Sequence, residues 1–267
     1  MVNDIELFYF LALLQREGWG TAYEYWVKSL LLEKVLPERK ALTRVLIAGL
    51  PEKYGLSLDF LLFSQRRSSH CVIVDDRYDR LEELKGLCRE LVKLKLLKQG
   101  SFDFRVSHGR YLMEGLSFDQ PFDLALSCES IQRFTGEIQP LIVKKLLELS
   151  KRSLLFFPNA NHQGHRLKSH LSGVRKQDVQ HWVSRIAGAR IRNAGYLDMP
   201  FWPAGIKAGK LNDSFILKSN AAVKAVSGIL RLWSQIDRRL PFSMRERNCH
   251  MIYADIESRR ALCNPGG

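Results

Sequence analysis

The chain has 267 residues, 46% of them hydrophobic and 26% charged, which suits one large α/β domain or two small ones and excludes a disordered polypeptide. Its formal net charge of +13 is placed unevenly: residues 1–150 carry 21 Lys+Arg and 21 Asp+Glu, so the whole surplus, 20 against 7, falls in residues 151–267. A surface of one sign attracts anions, whether nucleic acid, acidic lipid headgroups or an anionic small molecule.

Cys71, Cys88, Cys128, Cys249 and Cys263 are scattered without a Cys-x-x-Cys pair, which argues against structural zinc and against a disulfide framework. Asp4 and Glu6 precede the first apolar run, where a secretory signal would carry Lys or Arg. No later run reaches the ~18 apolar residues of a membrane span. The expectation is a soluble, cytoplasmic protein with reduced thiols.

In chain order, the opening residues read as helices. Residues 21–36 take Thr21 as N-cap and stop before Pro37, and Trp19, Tyr23 and Tyr25 are expected to pack these helices on the body of the protein. "RVLIAG" (44–49) is a buried strand ended by glycine, and "HCVIVDD" (70–76) is a second one ending in two acids. From Tyr78 to Leu97, Leu81, Leu84, Leu87, Cys88, Leu91 and Leu94 recur at helical spacing. Short strands follow at 102–107, 122–127 and 153–158, the last two separated by a helix at 140–151.

Beyond residue 158 a polar loop leads to a helix at 176–187 and a strand at 189–198. The last strand is expected at 248–257, after an insertion with an amphipathic helix at 220–239. Val223, Val226, Ile229, Leu230, Trp233 and Ile236 form its apolar positions, and Lys224, Arg231, Arg238 and Arg239 its solvated side. That helix reads as a cover over a hydrophobic cleft or, alternatively, as an interfacial helix on an anionic membrane surface. Strands alternating with helices define a parallel sheet covered on both faces.

Four segments then carry a family resemblance: "VLIAG", "VIVDD", "PFDLALSCESIQRF" and "SLLFFPNANHQGH". In order and spacing over residues 40–160 they resemble the class I S-adenosylmethionine-dependent methyltransferases. The resemblance implies a Rossmann-like, seven-stranded, mostly parallel sheet of order 3-2-1-4-5-7-6 with helices on both faces. It also implies a helical cap at 1–40, a methyltransferase-like domain at 41–267 and an insertion at about 197–245. The glycine-rich turn is reduced to Gly49, with Leu50 and Pro51 where further glycines would stand. This weighs heavily against a dinucleotide, whose pyrophosphate needs that backbone, and lightly against S-adenosylmethionine, which has no phosphate.

Open α/β sheets bind ligands beyond the carboxyl ends of their strands. By resemblance the cofactor would be held by Gly49, Pro51, Asp75, Asp76, His108, Cys128 and Glu129, with Asp75 on the ribose. Competing readings are a strand-ending glycine for Gly49, helix caps for Asp75 and Asp76, and a solvated loop acid for Glu129. His162 and His165 lie where a general base would serve the acceptor, and equally read as surface-loop histidines. No metal site is expected. The resulting expectation is methyl transfer to a small-molecule or lipid-like, anionic acceptor. Its rivals are an RNA acceptor and a non-catalytic scaffold on the same fold.

Overall fold

Alternation along each central strand decides how the layers form. In the computed structural model, which describes residues 5–36, 42–52, 54–109, 111–134, 136–162, 173–199 and 220–258, β1 (Arg44–Ala48) sends Val45 and Ile47 into one apolar cluster and Leu46 and Ala48 into another. Successive side chains point to opposite faces, and both faces of this strand are apolar, so helices must cover both.

β1 pairs in parallel with β2 (His70–Asp75) and β4 (Leu124–Cys128); β2 pairs with β3 (Phe102–Val106), and β4 with β5 (Arg152–Pro158). β7 (Met251–Ser258) runs antiparallel between β5 and β6 (Ala189–Leu197). The sheet order is 3-2-1-4-5-7-6, as the resemblance implies.

One face is covered by α1 (Ile5–Leu14), α2 (Trp19–Val35), α3 (Leu58–Arg66), α4 (Tyr78–Lys93) and α7 (Asn220–Asp237). The other carries α5 (Ile138–Leu149) and α6 (Lys176–Ser184). A short α8 (Phe242–Asn248) precedes β7. Trp19, Tyr23 and Tyr25 are buried as expected, with the Trp19 ring stacked 3.6 Å from that of Tyr9. The inner end of α2 is tied to the sheet by Arg152, which pairs with Asp255 through two 2.6 Å contacts and donates to the Val35 carbonyl.

Three local expectations need correction. α2 begins at Trp19 with Gly18 as its N-cap, and Thr21 is buried in the first turn. α4 ends at Lys93, because Lys95 adopts φ +59 and turns the chain before Leu97, which is still buried. Arg77, with no capping side chain, occupies the N-cap of α4, so Asp76 is not its cap. Among the described residues no helix is long and apolar enough to cross a membrane.

Candidate functional site

The carboxyl ends of β1, β2 and β4 meet where the sheet order reverses. Gly49, φ +78, turns the chain out of β1 and donates its N–H to the Val74 carbonyl. A Cβ here would stand 2.4 Å from the Ser130 Cβ and 2.7 Å from Leu112 Cδ2, so the close approach that demands glycine is made by the protein's own side chains. Gly49→Ala is therefore expected to cost about 1–3 kcal/mol of stability from backbone strain, before any contact penalty. Urea unfolding checks this; a loss within error would mean that residue 49 does not need the left-handed backbone and that Ser130 and Leu112 yield freely. Leu50 and Pro51 are buried directly after it.

Asp75, at the end of β2, is fully buried and its carboxylate is saturated. Oδ1 accepts from the Arg77 backbone N–H at 2.8 Å and from Arg77 Nε at 2.9 Å; Oδ2 accepts from the Leu50 N–H at 2.6 Å and from Arg77 Nη2 at 3.1 Å. A carboxylate offers about four lone-pair positions, and all are used. Although burial opposes ionisation, these donors and the Arg77 and Arg133 charges hold the Asp75 carboxyl below its ordinary range. Arg77 also binds Glu52 and the Leu50 carbonyl, while Arg133 takes Asp76 at 2.7 Å. Two guanidinium groups thus bridge the turn after β1, the end of β2 and the turn after β4.

The ends of β4, β6 and β7 build a second constellation. Glu129 (φ 46) and Asp198 (φ 61) are non-glycine residues in the left-handed region, at the exits of β4 and β6. Such backbone costs of order 1–3 kcal/mol and concentrates at functional sites. The antiparallel register Leu197↔Met251 sets Asp198 opposite His250. His250 donates its backbone N–H to the Asp198 carbonyl at 2.9 Å, and its Nδ1 lies 3.0 Å from Asp198 Oδ2. Burial pulls the His250 imidazole down, but Asp198, Glu129 and Glu24 outweigh it and raise it above its ordinary 6.5. The His162 ring meets that of His250 edge-on at 4.5 Å.

Beneath this lies α2. Tyr23 is buried, no hydrogen-bond partner of its hydroxyl is found among the described residues, and burial plus the carboxylates of Asp237 and Asp198 raise that hydroxyl strongly. Lys28 is fully enclosed, 2.8 Å from Glu24 Oε1, 3.2 Å from Asp59 Oδ2 and 3.4 Å from Cys128 Sγ.

The fold therefore gathers Gly49, Pro51, Asp75, Asp76, Cys128, Glu129 and His162 along one edge. His108 is exposed just beyond β3, and His165 lies outside the described residues. Arg77, Arg133, Lys28, Asp198 and His250 escaped the sequence reading. The signal for Asp198 and His250 was present: Asp198 follows β6 and His250 precedes β7, but only the register shows that they face each other.

An adenosyl ligand needs two acceptors for its ribose diol. The residues fit it in one state of Arg77: with that side chain withdrawn, Asp75 keeps both backbone donors and regains one lone pair on each oxygen.

The chain has the fold of the class I S-adenosylmethionine-dependent methyltransferases. Among solved structures it resembles the [4+2]-cyclase SpnF, at 13% identity and a TM-score of 0.55 over 91% of this chain and 83% of that one. It also resembles the methyltransferase domain of bacterial CtHen1, at 18% identity and a TM-score of 0.47 over 67% and 92%. A third is the geranyl diphosphate C-methyltransferase of Streptomyces coelicolor A3(2), at 10% identity and a TM-score of 0.49 over 86% and 79%. No protein-family model and no curated protein sequence matches the chain. A protein named for a [4+2] cyclisation shares this architecture, so function must be argued from the site.

Proposed function

We propose that the protein is an S-adenosylmethionine-dependent methyltransferase for a small-molecule acceptor. The observation that carries this reading is the His250–Asp198 pair, set with the left-handed Glu129 on the edge of the sheet where this architecture binds ligands. When bound, the cofactor supplies an electrophilic methyl group. Asp75 would hold its ribose, and the turn from Gly49 to Pro51 would lie against it.

The chain's own residues align the acceptor, exclude water and remove one proton. His250, oriented through Nδ1 by Asp198, is the base that takes this proton. Tyr23 donates its hydroxyl to the acceptor. Glu129 and Asp198 make this end acidic, which favours a neutral or cationic acceptor over the anionic one expected from the net charge.

Calorimetric titration with S-adenosylhomocysteine tests the reading. Arg77→Ala is expected to tighten binding by about tenfold, since the diol then no longer displaces two charge-assisted hydrogen bonds. Equal affinity in the two proteins would remove Arg77 from the ribose seat. Failure of both to bind at millimolar ligand would overturn the cofactor assignment. It would leave the second reading, a non-catalytic protein on this fold, which the saturated Asp75 already favours.

A further inference from the structure

The outward side of α7 carries a second apolar stripe that stands exposed among the described residues. Inward, Val223, Val226, Leu230 and Trp233 pack against the core, and Trp233 Nε1 donates to the Met199 carbonyl. At about 100° per residue, Ile229, Leu232 and Ile236 fall within about 60° of one another, beside that packed row. They are 50%, 60% and 42% exposed. Phe242 and Met244 on α8 are exposed as well, with Lys176 Nζ 5.0 Å from the Phe242 ring centre. Helix faces turned to water are ordinarily polar, so three large aliphatic side chains in register call for a partner.

The charge around them identifies it. Lys224, Arg231 and Arg238 form an exposed row farther round α7, with Arg239 just past its end and Arg247 on α8. The two acids in residues 220–248, Asp237 and Glu246, are engaged: Asp237 with Arg245 at 3.3 Å, Glu246 with the Tyr196 hydroxyl at 3.0 Å. At about 100° per residue Lys224 lies about 80° from Leu232, while Arg231 and Arg238 lie about 160° from Ile229 and Ile236, so the cations occupy the polar face of α7 opposite the stripe. A second copy of this face would be repelled by the same charges. Single-stranded nucleic acid would want exposed aromatic platforms among the cations, whereas the exposed centre here is aliphatic and Trp233 is tied to Met199.

We propose that α7 docks the protein on an anionic lipid surface. Ile229, Leu232 and Ile236 enter the boundary between headgroups and acyl chains, and Lys224 and Arg239 meet the lipid phosphates. Burial of the stripe and attraction of the cations act together, which is the physics of interfacial helices.

Flotation of the full chain with vesicles tests this. The expected result is retention at low salt on phosphatidylcholine vesicles rich in phosphatidylglycerol, and none on pure phosphatidylcholine. Retention should fall about fivefold or more in Ile229→Ser/Leu232→Ser/Ile236→Ser and in Lys224→Glu/Arg239→Glu, with unchanged melting because these side chains are exposed. Absence of binding to the anionic vesicles, equal binding to neutral ones, or wild-type retention by the serine variant overturns the proposal. So does binding of a short single-stranded RNA, without vesicle binding, that the glutamate variant loses and the serine variant keeps.

Discussion

Replacing Lys28 by methionine is expected to destabilise the fold by about 3–5 kcal/mol at neutral pH, the cost of leaving buried charge without its counterion. Lys28 lies between Glu24 and Asp59, over the Cys128 thiol and within 5.0 Å of the Tyr25 and Phe60 ring centres, with no exposed side-chain surface. Burial works against its charge, and the surrounding acids overcome this and hold it protonated. Burial also raises both carboxyls, that of Glu24 to about 8. One ammonium therefore serves two acids that each prefer neutrality.

The sign of the pH dependence follows. A carboxyl whose folded pKa exceeds its unfolded value is best tolerated in acid and costs stability as pH rises from the unfolded toward the folded value. Removing Lys28 widens that window for Glu24 and Asp59, so the penalty of Lys28→Met should grow between about pH 4 and pH 8. Glu24→Gln/Lys28→Met/Asp59→Asn should recover most of the loss and flatten the profile. Urea unfolding at pH 5 and pH 8 reads both effects. A loss below about 1 kcal/mol, or one equal at the two pH values, would show that the three groups are not coupled as described.

Lys28 also marks what the sequence could and could not convey. The strands were legible because they bury continuous apolar runs between flanking turns, and β1, β2, β4 and β5 lie where those runs do. Their order followed from the resemblance in the segments ending at Gly49, Asp75 and Cys128. The amphipathic helix near 220 was equally clear, because Val223, Val226, Leu230 and Trp233 repeat at helical spacing.

Side-chain destinations were not legible. A lysine in a helix reads as solvated until an acid from α3 and the sulfur at the end of β4 are brought to it. Asp76 read as a cap or a ligand, and its actual partner, Arg133, is 57 residues away. Arg77, only two residues past Asp75, saturates it by folding back on its own turn, a rotamer choice that no pattern of hydrophobicity records. α8 has seven residues and no fully buried side chain, so it left no periodic trace. The side-chain misses come from long-range or rotameric contacts and the α8 miss from the lack of burial, whereas the hits come from burial.

His250→Gln is expected to lower turnover by about 100-fold or more while leaving S-adenosylhomocysteine affinity within about twofold. The residue is separated from the proposed ribose seat by β4 and β5 in the sheet order, so the two effects are separable. Its imidazole must be neutral to accept a proton, and the raised pKa sets the sign: activity should climb with pH along a limb centred above 6.5. Asp198→Asn removes the group that most strongly raises that pKa, so the limb should move to lower pH while the plateau also falls, because the ring loses its orienting carboxylate. A purely structural role for the pair would lower the plateau of both variants and leave the wild-type limb where it stands in Asp198→Asn. Undiminished turnover in His250→Gln would mean that the acceptor arrives already nucleophilic. The edge of β6 and β7 would then only position it, with Tyr23 and Glu129 as the remaining contacts.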